Sequence, residues 1–445
     1  MLTLSTTKAA PGMTLALPVM HPDIPGYVLL RPGCVLDAME IARMAEIGVR
    51  RIAIEYPPTR FLLRYASVQL INDQSTVAQR IAAEMDRMSS DLHATFDLQV
   101  YADGVRLLVQ RLVDDPAAAL FMHDIIDARS PLASHAFNVG FLSLLMGLKL
   151  DGYLVSHRGA GGRLSRRRAM NIESLGIGAL LHDIGLTPVP REEAARLHAS
   201  HDVTPEGAID PMWRRHVETG FDMVKGRVPA TSSAVVLHHH QRLDGSGFPE
   251  RVRGFGPPTA LRGEEIHTFA RIVAVADDFD RLRNPPEAKS VPTVRALHQT
   301  LDLVRAGKLD PIVFKALLAV TPAFAPGSVV TLSDGRRCVV TGWDPIHPCS
   351  PTVCVLPRSL DEALCHERHA HPARLDEGDV LGEPIDLAER RDLRVAEIDG
   401  DNVSGDFFEA RRDSEFDLRL QFSTPLGEGW DAIAEATLAA GGKLG

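Results

Sequence analysis

The chain has 445 residues, of which 45% are hydrophobic and 24% charged, with a formal net charge of -10. That length exceeds what a single core usually organises, so two or three domains are expected, and the acidic balance disfavours a protein held on a nucleic-acid polymer by bulk electrostatics. Five cysteines, Cys34, Cys338, Cys349, Cys354 and Cys365, form no CxxC pair, and their odd number argues against a complete disulfide framework.

The opening stretch MLTLSTTKAAPGMTLALPVM has no charged segment ahead of an unbroken apolar one, and the longest apolar run, FLSLLMGL at 141–148, is too short to span a bilayer. A cytoplasmic protein without membrane contact is expected. Residues 1–60 carry Pro11-Gly12, Pro25-Gly26 and Pro32-Gly33 between short apolar runs, the punctuation of a small β-rich module. From 61 to 125 the pattern turns helical: TVAQRIAAEMDRMSSDL and VRLLVQRLVDD space apolar residues by three and four, giving a helical linker.

Residues 126–322 form the largest unit, mainly α. The glycines and arginines of DGYLVSHRGAGGRLSRRRA, from Asp151 to Ala169, predict an exposed basic loop that runs into a helix start; helical periodicity then resumes through NIESLGIGALLHDIG and MWRRHVETGFDMV to PIVFKALLAV. Residues 323–395, with alternating apolar positions around Ser-Asp-Gly in SVVTLSDGRRCVVTG, predict a C-terminal β module, and 396–445 form a polar tail that is hard to place.

In chain order the helical unit offers His135, His182-Asp183, His216, His239-His240 and Asp277, each beside apolar residues that would carry it inward. One histidine on an apolar face is more often a hydrogen-bonded core residue than a ligand. Five imidazoles and two carboxylates are a different matter: a helix bundle can gather them into one interior site, and they exceed the needs of a single tetrahedral zinc. A binuclear centre follows, with an aspartate bridging ions about 3.5–4 Å apart, and the nitrogen-rich donors favour iron, manganese or another transition metal over magnesium.

The order H, HD, H, HH, D, with GALLHDIG and HHQRLDGSGFP, resembles the HD-GYP family of metal-dependent phosphohydrolases over roughly residues 126–322. The resemblance implies a mainly α fold, a helical HD-superfamily bundle flanked here by small β-rich N- and C-terminal modules. It implies hydrolysis of cyclic di-GMP or a related cyclic dinucleotide at two divalent transition-metal ions. Asp183 would bridge the ions and, with His182, stand at the catalytic centre; His135, His182 and Asp277 would complete one site, and His216, His239 and His240 the other. Asp244, Gly245, Gly247, Phe248, Pro249 and Arg283 would contact substrate. His238, the first histidine of the triplet, would face elsewhere, because consecutive helix residues point about 100° apart.

Four positions depart from the family pattern. Leu186 stands where HDIGK has lysine, Gln241 replaces the glutamate of HHE, Phe248 replaces the tyrosine of GYP, and Pro131 replaces the glutamate that recruits a third metal in some members. The arginine-rich segment after the last aspartate is reduced to LRNPPEAK. Two readings compete with the phosphodiesterase: a weakly active or inactive domain that senses a cyclic dinucleotide or docks a signalling protein, and a phosphohydrolase for another nucleotide or phosphoester. A homodimer is compatible with each.

Overall fold

The computed structural model describes residues 1–21, 24, 27–90, 97–114, 131–158, 164–199, 210–252, 257–285, 290–357 and 380–409. The chain is mainly α. Strand β1 (Leu2–Ser5) pairs antiparallel with β4 (Arg51–Ile54), Leu2 opposite Ile54, and β2 (Val19–Met20) pairs with β3 (Val28–Leu30). Between them lies a helix, α1 (Ala38–Glu46), started by a capping box in which Asp37 accepts from the Glu40 amide and Glu40 accepts from the Asp37 amide.

Helices α2 (Val68–Ser90) and α3 (Leu98–Asp114) occupy much of the segment expected as a linker. They do not act as one: Ile71, Val77, Ile81, Val105 and Leu108 belong to the same buried core as Leu144, Leu175 and Val273 of the helical unit. The periodicity identified the helices, but two amphipathic helices must bury their stripes somewhere, and the large apolar core offers the surface.

The helical unit consists of α4 (Pro131–Lys149), α5 (Asp151–Arg158), α6 (Arg166–Met170), α7 (Glu173–Leu180), α8 (Arg191–Ala199), α9 (Pro211–Val224), α10 (Ala230–His238), α11 (Thr268–Arg283), α12 (Thr293–Arg305) and α13 (Pro311–Val320). By length and composition α4 could cross a membrane, yet 78% of its apolar window is buried inside the protein, as befits a core helix. The loop expected from Asp151 is corrected in part: 151–158 is helical, because Tyr153 and Leu154 face the core and the Tyr153 hydroxyl donates to Asp310 at 2.5 Å. Arg166, Arg167 and Arg168 lie exposed on α6, while Arg163 falls outside the described residues.

After α13 a six-stranded antiparallel sheet runs in the order β10-β9-β5-β6-β7-β8, built from β5 (Val329–Leu332), β6 (Arg337–Gly342), β7 (Thr352–Val355), β8 (Pro384–Asp386), β9 (Val395–Ile398) and β10 (Asp401–Asn402). The β module therefore extends past 395: Val330 pairs with Ile398, which brings the start of the expected tail into the sheet. Residues 410–445 lie outside the described residues. Leu2, Leu4, Leu15, Ile52 and Ile54 share a second core with Val339, Cys354 and Leu356, so the two small β modules pack on each other. Thr3 bridges to Ser328, and its amide donates to the Gly327 carbonyl at 2.9 Å.

Candidate metal centre

Seven expected ligands converge from five helices, and none is more than 3% exposed. His135 comes from α4, His182 and Asp183 from the turn that ends α7, His216 from α9, His239 and His240 from the end of α10, and Asp277 from α11. The turn after α7 lies tight against α9. A Cβ on Gly185 would sit 2.0 Å from the His216 carbonyl oxygen, so only glycine lets the two backbones approach this closely.

Local geometry aims the imidazoles. His182 Nδ1 donates to the Ala179 carbonyl at 2.7 Å, His239 Nδ1 to Val236 at 2.9 Å, and His216 Nδ1 to Trp213, each three residues back along the chain. His135 Nδ1 donates to Asp280 Oδ2 at 2.7 Å, and Asn138 and Asn284 donate to the other Asp280 oxygen at 3.0 and 2.8 Å. Since carbonyl and carboxylate oxygens only accept, all four rings carry hydrogen on Nδ1 and turn Nε2 inward, the nitrogen left to bind metal.

The ligating atoms fall into two groups, Asp183 with His216, His239 and His240, and His135 with His182 and Asp277. Asp183 Oδ1 lies 3.1 Å from His216 Nε2 and 3.5 Å from His239 Nε2, while Oδ2 lies 3.4 Å from His182 Nε2 and 3.8 Å from His135 Nε2. Asp277 Oδ1 lies 2.9 Å from His135 Nε2, and Oδ2 lies 3.7 Å from His240 Nδ1. Both carboxylates thus face both groups.

These residues fit a cation. His135 and His182 turn their Nε2 atoms on each other at 3.2 Å, and His216 and His239 do so at 3.3 Å, contacts that want positive charge between them. Both His240 nitrogens, Asp183 Oδ1 and Asp277 Oδ2 are buried with no hydrogen-bond partner among the described residues, a costly state for polar atoms that have nothing to coordinate. The buried clusters are able to bind divalent metal.

Electrostatics divide the imidazoles. Burial lowers the His239 imidazole to about 4 and holds His240 well below its usual range, so both are neutral donors at neutral pH. Burial opposes charge on His182 too, but the Asp183 carboxylate overrides it and raises the imidazole to about 10. Against its own burial, Asp183 is held well below the usual carboxylate range by His182 and Arg281, and Asp277 by Arg281 and His135.

The expected substrate contacts separate into three kinds. Phe248 stacks on His240 with centroids 4.8 Å apart, and Gly247 runs so close beneath that a Cβ would meet the His240 carbonyl oxygen at 2.3 Å. Asp244 is exposed at the rim and accepts from the Ser246 amide and hydroxyl at 2.9 and 2.7 Å; Gly245 takes the turn beside it with φ +84°, and Pro249 offers its carbonyl to Gln241. Arg283 is the correction: it is buried and donates to Thr293 Oγ1 and the Val291 carbonyl, closing the end of α11 instead of reaching the centre.

The departures from the family pattern also have local reasons. Leu186 is fully buried with Trp213, Val217 and Phe248, an apolar cluster with no room for a solvated ammonium. Gln241 donates to the Pro249 carbonyl and accepts from the Leu261 amide, both at 2.8 Å, a pair of bonds that needs an amide and not a carboxylate. His238 belongs to neither ligand group, and the side chains of His198 and His201 lie outside the described residues.

Sequence reasoning missed two residues, Asp280 and Arg281. Arg281 lies over Trp213, 4.6 Å from guanidinium carbon to ring centroid, and donates to both Asp183 and Asp277. Its position four residues after Asp277 puts it on the ligand face of the helix, and Asp280, three residues on, shares that face.

Residues 162–313 match the family model for the HD domain. Over 175 residues the chain is 32% identical to the cyclic di-GMP phosphodiesterase PA4108 of Pseudomonas aeruginosa, covering 38% of this chain and 38% of that protein. It is 32% identical to the cyclic di-GMP phosphodiesterase response regulator RpfG of Xanthomonas campestris, covering 32% of this chain and 35% of the relative. With the 3'3'-cGAMP-specific phosphodiesterase 2 of Vibrio cholerae it shares 28% identity, covering 31% of this chain and 24% of the relative. The chain therefore spans well under half the length of each of these relatives. Residues 162–313 therefore carry an HD domain, and over that part the chain is similar to phosphodiesterases of cyclic dinucleotides.

Proposed function

We propose that the chain is a metal-dependent phosphodiesterase that hydrolyses cyclic di-GMP or a related cyclic dinucleotide. The observation that carries this reading is the pair of buried ligand groups, with an Asp183 oxygen turned toward each. Similarity to cyclic di-GMP and 3'3'-cGAMP phosphodiesterases supports the substrate class and leaves open which purine pair is preferred.

In this reading the two groups would hold two divalent ions, iron or manganese, which would supply Lewis-acid charge to the phosphoryl oxygens and lower the proton affinity of a water. His135, His182 and Asp277 would hold one, His216, His239 and His240 the other, with Asp183 as a ligand between the groups. The protein's part is preorganisation: the carbonyls of Ala179, Val236 and Trp213 and the Asp280 carboxylate fix the imidazoles before metal arrives, so little reorganisation is required at the reaction. Asp183 serves as a ligand and not as a base, because its surroundings hold its proton affinity far down.

Phe248, stacked on His240, and Gly247 and Pro249 beside it form the wall on which a base or ribose would rest, with Gly245 and Asp244 at the rim. We place the reaction in the cytoplasm, with residues 126–322 as the catalytic unit. A signalling-protein partner and a homodimer fit this reading. The sensor reading draws its support from Arg281, whose guanidinium lies inside the ligand set.

The test is a panel of cyclic di-GMP, 3'3'-cGAMP and bis(p-nitrophenyl) phosphate, incubated with chelator-stripped protein before and after addition of manganese or ferrous iron. Metal-restored cleavage of a cyclic dinucleotide supports the proposal. Metal-restored cleavage of the small diester alone moves the substrate elsewhere, and tight dinucleotide binding without cleavage favours the sensor.

A further inference from the structure

The two ligand groups differ in the company they keep. Arg281 is 5% exposed; its Nε donates to Asp277 Oδ1 at 2.7 Å and its Nη2 to Asp183 Oδ2 at 2.8 Å. Those are the two oxygens that face His135 at 2.9 Å and His182 at 3.4 Å. The opposite oxygens, Asp183 Oδ1 and Asp277 Oδ2, accept no hydrogen bond and face His216, His239 and His240.

We propose that Arg281 is a built-in cation standing in the charge position of the second metal: the centre takes one divalent ion tightly at Asp183, His216, His239 and His240, and a second at His135, His182 and Asp277 only weakly, once the guanidinium is displaced. This rests on the metal reading above and deepens it. Competition for lone pairs is the first reason. The carboxylate oxygens that the second group would offer an ion are already bonded to a guanidinium that cannot lose its proton.

Charge is the second. With the imidazoles neutral, as metal ligation requires, Asp183, Asp277 and Asp280 bring three negative charges into the interior and Arg281 returns one positive, leaving two, which one divalent ion neutralises. Another ion beside Arg281 adds two positive charges at short range where water is scarce. At an effective dielectric of about 20, that repulsion weakens the second site by at least about 100-fold relative to the first. Position supports the assignment, since Trp213, fully buried beneath the guanidinium, holds it over the ligands and not toward solvent.

The test is metal stoichiometry, read without any turnover. Full-length protein, Arg281→Met and Arg281→Ala are stripped with chelator, titrated with Mn2+ by calorimetry, desalted and analysed for retained metal; far-UV circular dichroism checks that each is folded. Methionine keeps the contact with Trp213 if the shorter residue unfolds the chain. The expected result is one tight equivalent in the wild type and two in the variants, with the second step tightened at least about 100-fold. Two equal equivalents in the wild type, or one in all three proteins, overturns the role of Arg281 and leaves the metal reading standing. No retained metal in any protein overturns both.

Discussion

Replacing Gln241 by glutamate, the residue common at this position in the family, is expected to harm this protein. The Gln241 side chain is 2% exposed; its amide nitrogen donates to the Pro249 carbonyl and its oxygen accepts from the Leu261 amide, each at 2.8 Å. An ionised glutamate keeps the second bond and loses the first, placing an anionic oxygen against the Pro249 carbonyl. An unsatisfied buried acceptor costs about 1–3 kcal/mol, and the repulsion adds to it, so Gln241→Glu should lose about 2–4 kcal/mol at pH 7. A protonated carboxylic acid can donate as the amide does, so the deficit should shrink as the pH falls. Urea unfolding of both proteins between pH 5 and 8 reads the difference. Equal midpoints at pH 7, or a deficit independent of pH, would refute the idea that this loop is fastened by the amide.

Leu186→Lys, which restores the family lysine, should destabilise by about 3 kcal/mol or more because its ammonium enters the cluster with Trp213 and Phe248, whereas Leu186→Met should stay within about 1.5 kcal/mol; a thermal melt of both decides. Gly185→Ala should cost about 3 kcal/mol or more and weaken metal binding, because its Cβ collides with the His216 carbonyl and drives α9 away; unchanged stability and metal uptake would contradict the close contact. His267 caps α11 by accepting from the Phe269 amide at 3.1 Å, and burial, aided by Arg158 and Arg271, lowers its imidazole from 6.5 to about 4. A depressed histidine favours folding above the unfolded value and loses that contribution as the pH falls from about 6.5 to about 4, here up to about 3 kcal/mol. His267→Asn keeps a cap that does not titrate, so its stability should fall less steeply than the wild type across that window, and parallel pH curves would exclude the assignment.

The ligand series was legible because its chemistry is local: each histidine or aspartate sits beside apolar residues that must turn inward, and five inward-facing imidazoles have few other uses. The small β modules were legible from proline, glycine and alternation. What escaped was set by neighbours distant in sequence. Residues 68–114 read as helices, but their membership of the main core depends on Leu144 and Leu175, which no local pattern links to them. The helix at 151–158 was hidden by its glycine, and its cause is a contact from Tyr153 to Asp310, more than 150 residues away. Strand β9 was assigned to a tail because its partner, β5, lies over 60 residues upstream. Arg283 drew attention as the arginine nearest a family motif, whereas Arg281, two residues earlier and one turn beyond Asp277, is the one that enters the site.

The central claim is that buried imidazoles and carboxylates hold metal for phosphodiester cleavage, and Asp183 turns one oxygen toward each half. The most direct measurement is metal content and cyclic di-GMP turnover on the same preparations of wild type and Asp183→Asn, an isosteric change that keeps the shape and removes the charge. Joint loss is predicted: bound metal falls and turnover drops on the order of 10³-fold, with the fold intact by circular dichroism. Full metal content and full turnover in Asp183→Asn would contradict it.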